Sequence, residues 1–252
     1  MGELLGISGA IGSGKTTFAR LIGQTVENHA IYETSMVIIE VANRFNQLLE
    51  AELNFDTAND DTELVNQSLV WMPDIISEHL HHETTWAHLA ITSKDQRIHP
   101  ELYKKLFDYL KNVRANHKLV EQTITTVNKV EYRSLLQWLG GYFVAKISAT
   151  IWYDELFRRI DLHESRRSLV IISGVRYLSD AELVRQHRGR IICISRPNLK
   201  PSGDDITELE SLKIEPDITV VNNGTVQDLQ KLTEEIWNDI ATGAPKKTYM
   251  AA

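Results

Sequence analysis

A glycine-rich segment near the start of the chain has the composition and spacing needed to bind a phosphate chain. Residues 9–16 read Gly-Ala-Ile-Gly-Ser-Gly-Lys-Thr and match the pattern G-x-x-x-x-G-K-[ST]. Glycines let consecutive backbone N–H groups turn toward an anion, and a helix that begins behind them adds the positive end of its dipole. The pattern predicts that Lys15 contacts the β- and γ-phosphates of ATP or GTP and that the Thr16 hydroxyl ligates Mg²⁺.

The residues around this segment supply the order that the motif requires. Leu4-Leu5-Gly6-Ile7 predicts a strand before it, and Thr17-Phe18-Ala19-Arg20-Leu21-Ile22 predicts a helix after it. A glycine-rich turn that binds nothing is the alternative, and the strand–loop–helix order favours binding. The residues expected to hold the nucleotide phosphates are Gly9, Ile11, Gly12, Ser13, Gly14, Lys15, Thr16 and Thr17.

Two further groups of residues could bind a second anionic ligand. Arg133 and Gln137 are four residues apart, so they share a helical face and can address one ligand together. Arg176 directly follows a predicted buried strand at 168–173, where its side chain would emerge at the ligand edge of a sheet. A guanidinium at that position is suited to bidentate contact with a phosphate.

Each of these cations also has an alternative role as an ordinary surface charge. Arg176 could pair with Asp180, and Arg133 could pair with Glu131 or Asp154. Lys146 could be a solvated helix residue.

The elements that must position these residues alternate between strands and helices. Strands are predicted at 4–7, 29–33, 168–173, 190–195 and 217–221. Helices are predicted at 15–28, from a cap at Thr34 or Ser35 through the apolar positions up to Leu49, at 62–82 with an interruption at Pro73, at 100–115, at 131–160 with a break at Gly140-Gly141, at 179–187, and from the turn at 222–225 to about 240. This order predicts a five-stranded parallel sheet within a single domain, 1–252, with the nucleotide at the carboxyl ends of the strands.

Three segments are expected to lie outside the alternating strands and helices. A helical insertion is expected over 46–132, with an exposed loop at 50–63, and a short lid loop over 196–207. The residues from Thr242 onward are expected to form a frayed tail.

The composition excludes several classes of protein. The chain has 252 residues, a formal net charge of −7 and 42% hydrophobic residues, which is typical of a folded protein and argues against general nucleic-acid binding. The only cysteine, Cys193, lies in an apolar run and is expected to be buried, as in a protein of the reducing cytosol. We expect a cytoplasmic protein without membrane attachment, because neither a signal peptide nor a spanning segment is apparent.

Together, these motifs resemble the phage-type deoxynucleoside monophosphate kinases, which belong to the P-loop nucleoside monophosphate kinase superfamily. The segments that carry the resemblance are the phosphate-binding loop, Arg133 to Trp152, Val175-Arg176 with Asp180-Ala181-Glu182, Thr207-Glu208, and Asn222-Asn223-Gly224-Thr225. The resemblance implies an α/β, three-layer P-loop NTPase fold. It also implies Mg²⁺-dependent transfer of a phosphoryl group from ATP to a (deoxy)nucleoside 5′-monophosphate, a small-molecule nucleotide acceptor.

The resemblance also implies roles for individual residues. Lys15, Arg133 and Arg176 would be catalytic, and Arg133, Lys146 and Arg176 would bind the acceptor phosphate. Two further residues are expected to bind the acceptor from their positions alone: Glu33, which ends a predicted strand at the ligand edge, and Gln137, which shares a helical face with Arg133. Arg196, Asn223, Gly224 and Thr225 would lie near the adenine of ATP. The acceptor phosphate is already ionised at neutral pH, so positioning and charge neutralisation, rather than a strong general base, would carry the rate.

Two positions differ from the family pattern and leave alternatives open. Ser173-Gly174 stands where an acidic residue usually precedes Val-Arg, and Lys146 stands where an arginine is expected. One alternative is a kinase of another small acceptor, such as dephospho-coenzyme A or a nucleoside. Another is a catalytically silent nucleotide-binding regulatory protein. The base and sugar of the acceptor are not specified by the sequence, and a homodimer is compatible with it.

Overall fold

The structure is a computed structural model that describes residues 2–52, 61–80, 100–163, 167–197, 199 and 210–251. The chain forms two compact units. We call Met1–Thr34 with Phe157–Ala252 the sheet unit, and Ser35–Leu156 the helical unit. The helical insertion expected over 46–132 falls within the helical unit, and the division of the chain into domains stays a prediction.

The sheet unit contains a six-stranded sheet in the order β2-β3-β1-β4-β5-β6. All neighbouring strands pair in parallel. The strands are β1 (Glu3–Ser8), β2 (His29–Glu33), β3 (Leu169–Ser173), β4 (Arg190–Ser195), β5 (Ile218–Asn222) and β6 (Thr248–Ala251). The predicted parallel α/β architecture is confirmed, whereas the predicted number of strands, five, is wrong.

Helices cover both faces of this sheet, which gives the predicted three layers. The helices that lie wholly within the sheet unit are α1 (Lys15–Gln24), α9 (Leu178–Gln186) and α10 (Val226–Ala241). Leu5 and Ile7 of β1 belong to one buried cluster with apolar residues of α1 and α10. Gly6 points the other way, and a Cβ there would lie 3.3 Å from Val184 of α9. Successive residues of a strand face opposite sides, so α9 lies across the sheet from α1 and α10.

The sixth strand lies where the sequence predicted a frayed tail. In β6, Tyr249 and Ala251 are each only 3% exposed, whereas Thr248 and Met250 face outward. The Tyr249 hydroxyl donates to Asp239 Oδ2 at 2.9 Å and accepts from the Lys246 backbone N–H at 2.8 Å. Tyr249 thereby links the strand to α10.

The helical unit consists of helices joined by short and irregular segments. Its helices are α2 (Thr34–Glu52, whose first residue belongs to the sheet unit), α3 (Asp61–Leu69), α4 (Met72–His79), α5 (Pro100–Ala115), α6 (Lys118–Glu121), α7 (Arg133–Lys146) and the start of α8 (Ile151–His163). The interruption at Pro73 is confirmed, since α4 begins at Met72 with this proline in its first turn. The loop predicted at 50–63 is wrong at both ends, because α2 continues to Glu52 and α3 begins at Asp61.

The predicted break at Gly140-Gly141 is also wrong, because α7 continues through both glycines. A Cβ on Gly141 would lie 2.6 Å from Leu102 Cδ2, so this glycine lets α5 approach α7 closely. The helical segment breaks later, at 147–150, where Ser148 Oγ and Thr150 Oγ1 are hydrogen-bonded at 2.9 Å. Within the described residues, no helix is long and apolar enough to cross a membrane.

Two asparagines of α2 organise the interior of the helical unit. The Asn43 side chain donates to the Ile124 carbonyl at 3.0 Å and accepts from the Ile124 N–H at 2.7 Å. Asn46, only 2% exposed, accepts from the Tyr109 hydroxyl at 2.7 Å. Burial raises the pKa of Tyr109 well above its ordinary value, so this hydroxyl stays protonated and remains a donor. These contacts fix the chain between α6 and α7 and hold α5 against α2.

Candidate active site

The phosphate-binding loop forms the turn between β1 and α1. Gly14 is the N-cap of α1 and has a φ of 101°, in the left-handed region that favours glycine. The Ser13 N–H donates to the Ala10 carbonyl at 3.2 Å, and the Phe18 N–H donates to the Gly14 carbonyl at 2.8 Å. The loop therefore closes on itself, and α1 begins directly behind it, as the motif predicts.

Neighbouring strands leave no room for side chains at two glycines of the loop. A Cβ on Gly9 would lie 2.2 Å from the Ile194 carbonyl oxygen of β4, and Gly9 has a φ of 136°. A Cβ on Gly14 would lie 2.6 Å from the Asn222 amide nitrogen of β5. These two glycines thus allow close packing of the loop against the sheet, in addition to their predicted role in phosphate binding.

We expect Gly9→Ala to lower the free energy of unfolding by roughly 3 kcal/mol, because it adds a backbone clash to an unfavourable φ. Gly243→Ala is the matched control, since Gly243 has a φ of 77° but no atom within 4 Å of an added Cβ. That variant should lose only about 1 kcal/mol. Urea unfolding measures both, and equal losses would contradict the packing argument.

The loop opens into a cavity of about 400 Å³ at the carboxyl edge of the sheet. One side is formed by the loop and the start of α1, and the other by the residues after β4 and the β5–α10 turn. The lining residues are Gly12, Gly14, Lys15, Thr16, Thr17, Arg196, Asn222, Gly224, Thr225, Val226 and Leu229. Cavities of this size hold nucleotide-sized ligands. Lys15 is among these lining residues, and its Nζ donates to the carbonyls of Gly9 at 2.6 Å and Ala10 at 2.7 Å.

Most of the residues predicted to contact ATP line this cavity, but four do not. Gly9, Ile11, Ser13 and Asn223 are absent from the lining. The Ser13 side chain is fully buried and the Ile11 side chain, 48% exposed, is apolar, so the phosphate contacts predicted for these two residues would be made by their backbone N–H groups. Sequence reasoning missed Val226, which is 57% exposed and presents an apolar surface to the cavity. Val226 could have been predicted from its position in the sequence, because it directly follows Thr225, which was already expected to lie near ATP.

The start of α10 is fixed by a capping box beside the cavity. Thr225 Oγ1 accepts from the Asp228 N–H at 3.2 Å, and Asp228 Oδ2 accepts from the Thr225 N–H at 2.8 Å. A Cβ on Gly224 would lie 2.9 Å from the Asp228 side chain. The predicted Gly224-Thr225 turn therefore has one well-defined conformation.

Cys193, which was expected to be buried, is only partly buried. It pairs in register with Ser8 at the end of β1, near the edge where the cavity opens. Burial raises the pKa of the Cys193 thiol, and the nearby charge of Lys15 lowers it in part.

Arg176 lies at the same carboxyl edge, three residues after the end of β3. It is exposed, and within the described residues its guanidinium forms no salt bridge. The predicted alternative, an ion pair with Asp180, is replaced by backbone contacts. Asp180 Oδ2 accepts from the N–H groups of Arg176 at 3.0 Å and Tyr177 at 2.9 Å. Asp180 thus fixes the backbone that carries Arg176.

Burial of Asp180 raises its pKa to about 6, and the two backbone N–H donors only partly offset this effect. A raised pKa in the folded state means that the folded protein holds the proton more tightly than the unfolded chain. The contribution of Asp180 to stability is therefore present below the unfolded pKa of 3.8 and is lost as the pH rises through 6.

We expect Asp180→Asn to keep the acceptor oxygen and remove this pH-dependent loss. Its stability relative to the wild-type protein should rise by roughly 2 kcal/mol between pH 4 and pH 7, measured by urea unfolding. Asp228→Asn is the matched control with the opposite sign, because hydrogen bonds from Thr225 lower the pKa of Asp228. The loss of stability in Asp228→Asn, relative to the wild-type protein, should become smaller as the pH falls. If the relative stabilities of both variants changed with pH in the same direction, the raised pKa of Asp180 would be contradicted.

The position that usually carries an acidic residue is held by a glycine in a special conformation. Gly174 has a φ of 100°, and an added Cβ would meet nothing within 4 Å. A carboxylate there has room, but its backbone is strained. Glu33 at the end of β2 pairs in register with Ser173, so another carboxylate-bearing residue lies at this edge of the sheet.

In the helical unit, α7 carries the other predicted acceptor residues. Arg133 begins the helix and is exposed, and Gln137 lies one turn later on the same face. Gln137 Oε1 accepts from Lys105 Nζ of α5 at 2.7 Å. Lys105 is a further cation beside the predicted acceptor residues. No local pattern predicts this contact, because it joins two separate helices.

Lys146 at the end of α7 is buried, so the alternative that it is a solvated helix residue is wrong. It is 7% exposed, and its ammonium lies 6.0 Å from the centre of the Tyr142 ring. Burial lowers the pKa of Lys146.

The parallel sheet, the glycine loop after its first strand and the lysine at the cavity define a P-loop nucleotide-binding protein. The family model of deoxynucleotide monophosphate kinase matches residues 3–232, and the chain belongs to this family. It is therefore a phosphotransferase that moves a phosphoryl group from ATP to a deoxynucleoside monophosphate. No curated protein matches the chain. The end of α10 and all of β6 lie beyond the matched residues.

Proposed function

We propose that the cavity at the carboxyl edge binds ATP, with the triphosphate on the loop of residues 9–16 and the adenine against the β5–α10 turn. The observation that most supports this proposal is that Lys15, Arg196 and Thr225 line one cavity although they come from distant parts of the chain. Lys15 and Arg196 supply positive charge, and Val226 supplies an apolar surface for a purine face. The amino-terminal ends of α1 and α10 both border this cavity and favour an anion.

We assign Mg²⁺ to the Thr16 hydroxyl and the phosphates of ATP. Thr16 is an exposed residue of the first turn of α1 and lines the cavity beside Lys15, so its hydroxyl is accessible. Among the residues that the structure describes, no group of three or more His, Cys, Asp and Glu could hold a metal ion. Mg²⁺ in kinases takes most of its ligands from phosphates and water, and one hydroxyl is compatible with that requirement. When bound, the ion neutralises charge on the phosphate oxygens.

For the acceptor, we assign Arg176, Arg133 and Lys146 to the monophosphate, with Gln137 and Glu33 as further contacts. An oxygen of the acceptor phosphate attacks the γ-phosphorus in line, the bond to the β–γ bridging oxygen breaks, and ADP leaves with that electron pair. The attacking oxygen is already ionised, so no proton has to be removed. Arg176 and Lys15 reduce the repulsion between the two anionic groups and stabilise the transferred phosphoryl.

A coupled assay for ADP tests this assignment with ATP, Mg²⁺ and a panel of acceptors. The panel contains the deoxynucleoside monophosphates, the corresponding ribonucleotides, dephospho-coenzyme A and free nucleosides. We expect turnover with at least one deoxynucleoside monophosphate, and the preferred base follows from the ranking of kcat/KM. Lys15→Met prepared in parallel controls for contaminating kinases. ATP binding without turnover on any acceptor would instead support a silent regulatory protein.

A further inference from the structure

We infer that Asn222 is a positioning residue that orients the peptide between Ser13 and Gly14 for phosphate binding. The inference rests on the proposed ATP site, because it concerns the loop that would hold the phosphates. It extends that proposal to a residue outside the glycine-rich motif, at the end of β5.

The contact that carries the inference is buried and joins distant parts of the chain. Asn222 Nδ2 donates to the Ser13 carbonyl oxygen at 2.9 Å. Asn222 is 7% exposed and the Ser13 side chain is fully buried, so water has little access to replace this donor. A Cβ on Gly14 would lie 2.6 Å from the same nitrogen, so only glycine leaves room for the Asn222 amide at this position. The amide and the loop therefore fit each other closely.

The geometry of the peptide bond turns this contact into an orientation of the loop. The C=O and N–H of a planar trans peptide point in opposite directions. When Asn222 holds the Ser13 carbonyl toward β5, the Gly14 N–H points away from β5. Gly14 lines the cavity, and an N–H fixed in this way is a ready donor to a phosphate oxygen. Asn222 thus acts through the loop and need not touch the nucleotide.

The strand that holds Asn222 in place is β6. Pairing between β4 and β5 ends at Ser195 and Val221, whereas Asn222 pairs in register with Ala251. The Asn223 N–H also donates to the Ala251 carbonyl at 3.3 Å. The position of the carboxamide beneath the loop is therefore set from the β6 side.

The test is Asn222→Asp, which keeps the shape and replaces the N–H donor by an oxygen. When ionised, the carboxylate repels the Ser13 carbonyl, and when protonated, it donates a hydrogen bond to it. Burial raises a carboxyl pKa, which places the change in an accessible pH range. Charged and titratable groups near this position are Lys15 and Arg196 at the cavity, Cys193 on β4 and Asp228 on α10. Their own titration affects both proteins alike and cancels when the variant is compared with the wild-type protein at each pH. The positive charges of Lys15 and Arg196 act on the new carboxyl alone and offset part of the rise in its pKa.

The measurement is the Kd of ATP, from calorimetric titration at pH 5 to pH 8, together with the melting temperature. We expect Asn222→Asp to weaken binding at least tenfold at pH 8 and to approach the wild-type Kd at pH 5. Asn222→Ala should weaken binding at every pH by a constant ratio. Asn238→Asp, the same change at an exposed position of α10, should leave the Kd unchanged.

Two results would overturn the inference. One is a wild-type Kd for Asn222→Ala, because Asn222 lines the cavity and a loss confined to Asn222→Asp would reflect direct repulsion between its carboxylate and the phosphates. The other is a weakened Kd whose ratio to the wild-type value does not change with pH in Asn222→Asp, because a general loss of packing would behave in that way. If Asn222→Asp does not fold, an unchanged Kd in Asn222→Ala overturns the inference by itself. Failure of the wild-type protein to bind ATP would instead refute the proposed function, so the two failures are distinguishable.

Discussion

Lys15→Met should lower kcat by roughly a hundredfold to a thousandfold, the loss typical of removing one preorganised donor from a transition state. The lysine is the only motif residue that can bring a full positive charge to the transferred phosphoryl group. Methionine keeps most of the side-chain volume and removes the charge, so the effect on kcat reports charge stabilisation. Steady-state assays at saturating ATP and acceptor measure it.

The same variant should also be slightly less stable, because Lys15 Nζ donates to the carbonyls of Gly9 and Ala10 in the structure. Loss of these partly buried contacts is expected to cost about 1–3 kcal/mol and to lower Tm by several degrees. Lys231→Met, at an exposed position of α10, is the control and should change neither kcat nor Tm. A Lys15→Met protein with near-wild-type kcat would remove this lysine from the mechanism.

Arg176→Ala should lower kcat/KM for the monophosphate acceptor by roughly a hundredfold, while KM for ATP stays close to the wild-type value. The structure places Arg176 at the carboxyl edge of the sheet on a backbone that Asp180 fixes. Its guanidinium is exposed and forms no salt bridge within the described residues, so it is available to an anionic ligand. Arg176→Lys should recover only part of the loss, since an ammonium lacks the planar fork.

Initial rates over a grid of ATP and acceptor concentrations separate the two KM values. Arg20→Ala removes the same charge from an exposed position of α1 and should leave kcat/KM unchanged. If Arg176→Ala raised KM for ATP and left the acceptor unaffected, Arg176 would belong to the nucleotide side of the site.

The elements that could be predicted from the sequence are those whose conformation is determined by a short local segment. Residues 9–16 form the predicted loop, with a strand directly before it and a helix that begins at Lys15 as predicted. The helix ends at Gln24, four residues earlier than predicted. The apolar run of β3 is buried along its whole length, as a central parallel strand must be. Such patterns need no knowledge of distant residues.

The errors in the predicted elements come from tertiary contacts. Gly140-Gly141 resembles a helix break, yet the packing of Leu102 against Gly141 keeps α7 continuous. In the short strand β6, Tyr249 hydrogen-bonds to Asp239 of α10. The alternation of buried and exposed residues over only four positions does not predict that contact.

The candidate site shows the same division. Lys15 and Thr16 are predicted by a local motif, whereas the contacts of Asn222 and Lys105 join residues that lie 209 and 32 positions apart in the chain. Most of the lid predicted at 196–207 lies outside the described residues, and that part stays a prediction. The assignment of Arg133, Gln137 and Lys146 to the acceptor is likewise a prediction.

The parallel order of the sheet has a practical consequence for handling the protein. Strand β6 ends at Ala251, at the same edge of the sheet as the phosphate-binding loop, and β1 begins at Glu3 on the opposite edge. A purification tag or fluorescent fusion attached after β6 would emerge beside the nucleotide cavity and could obstruct it. The same tag placed ahead of β1 would emerge on the far side, which makes the amino-terminal position the better choice for kinetic work.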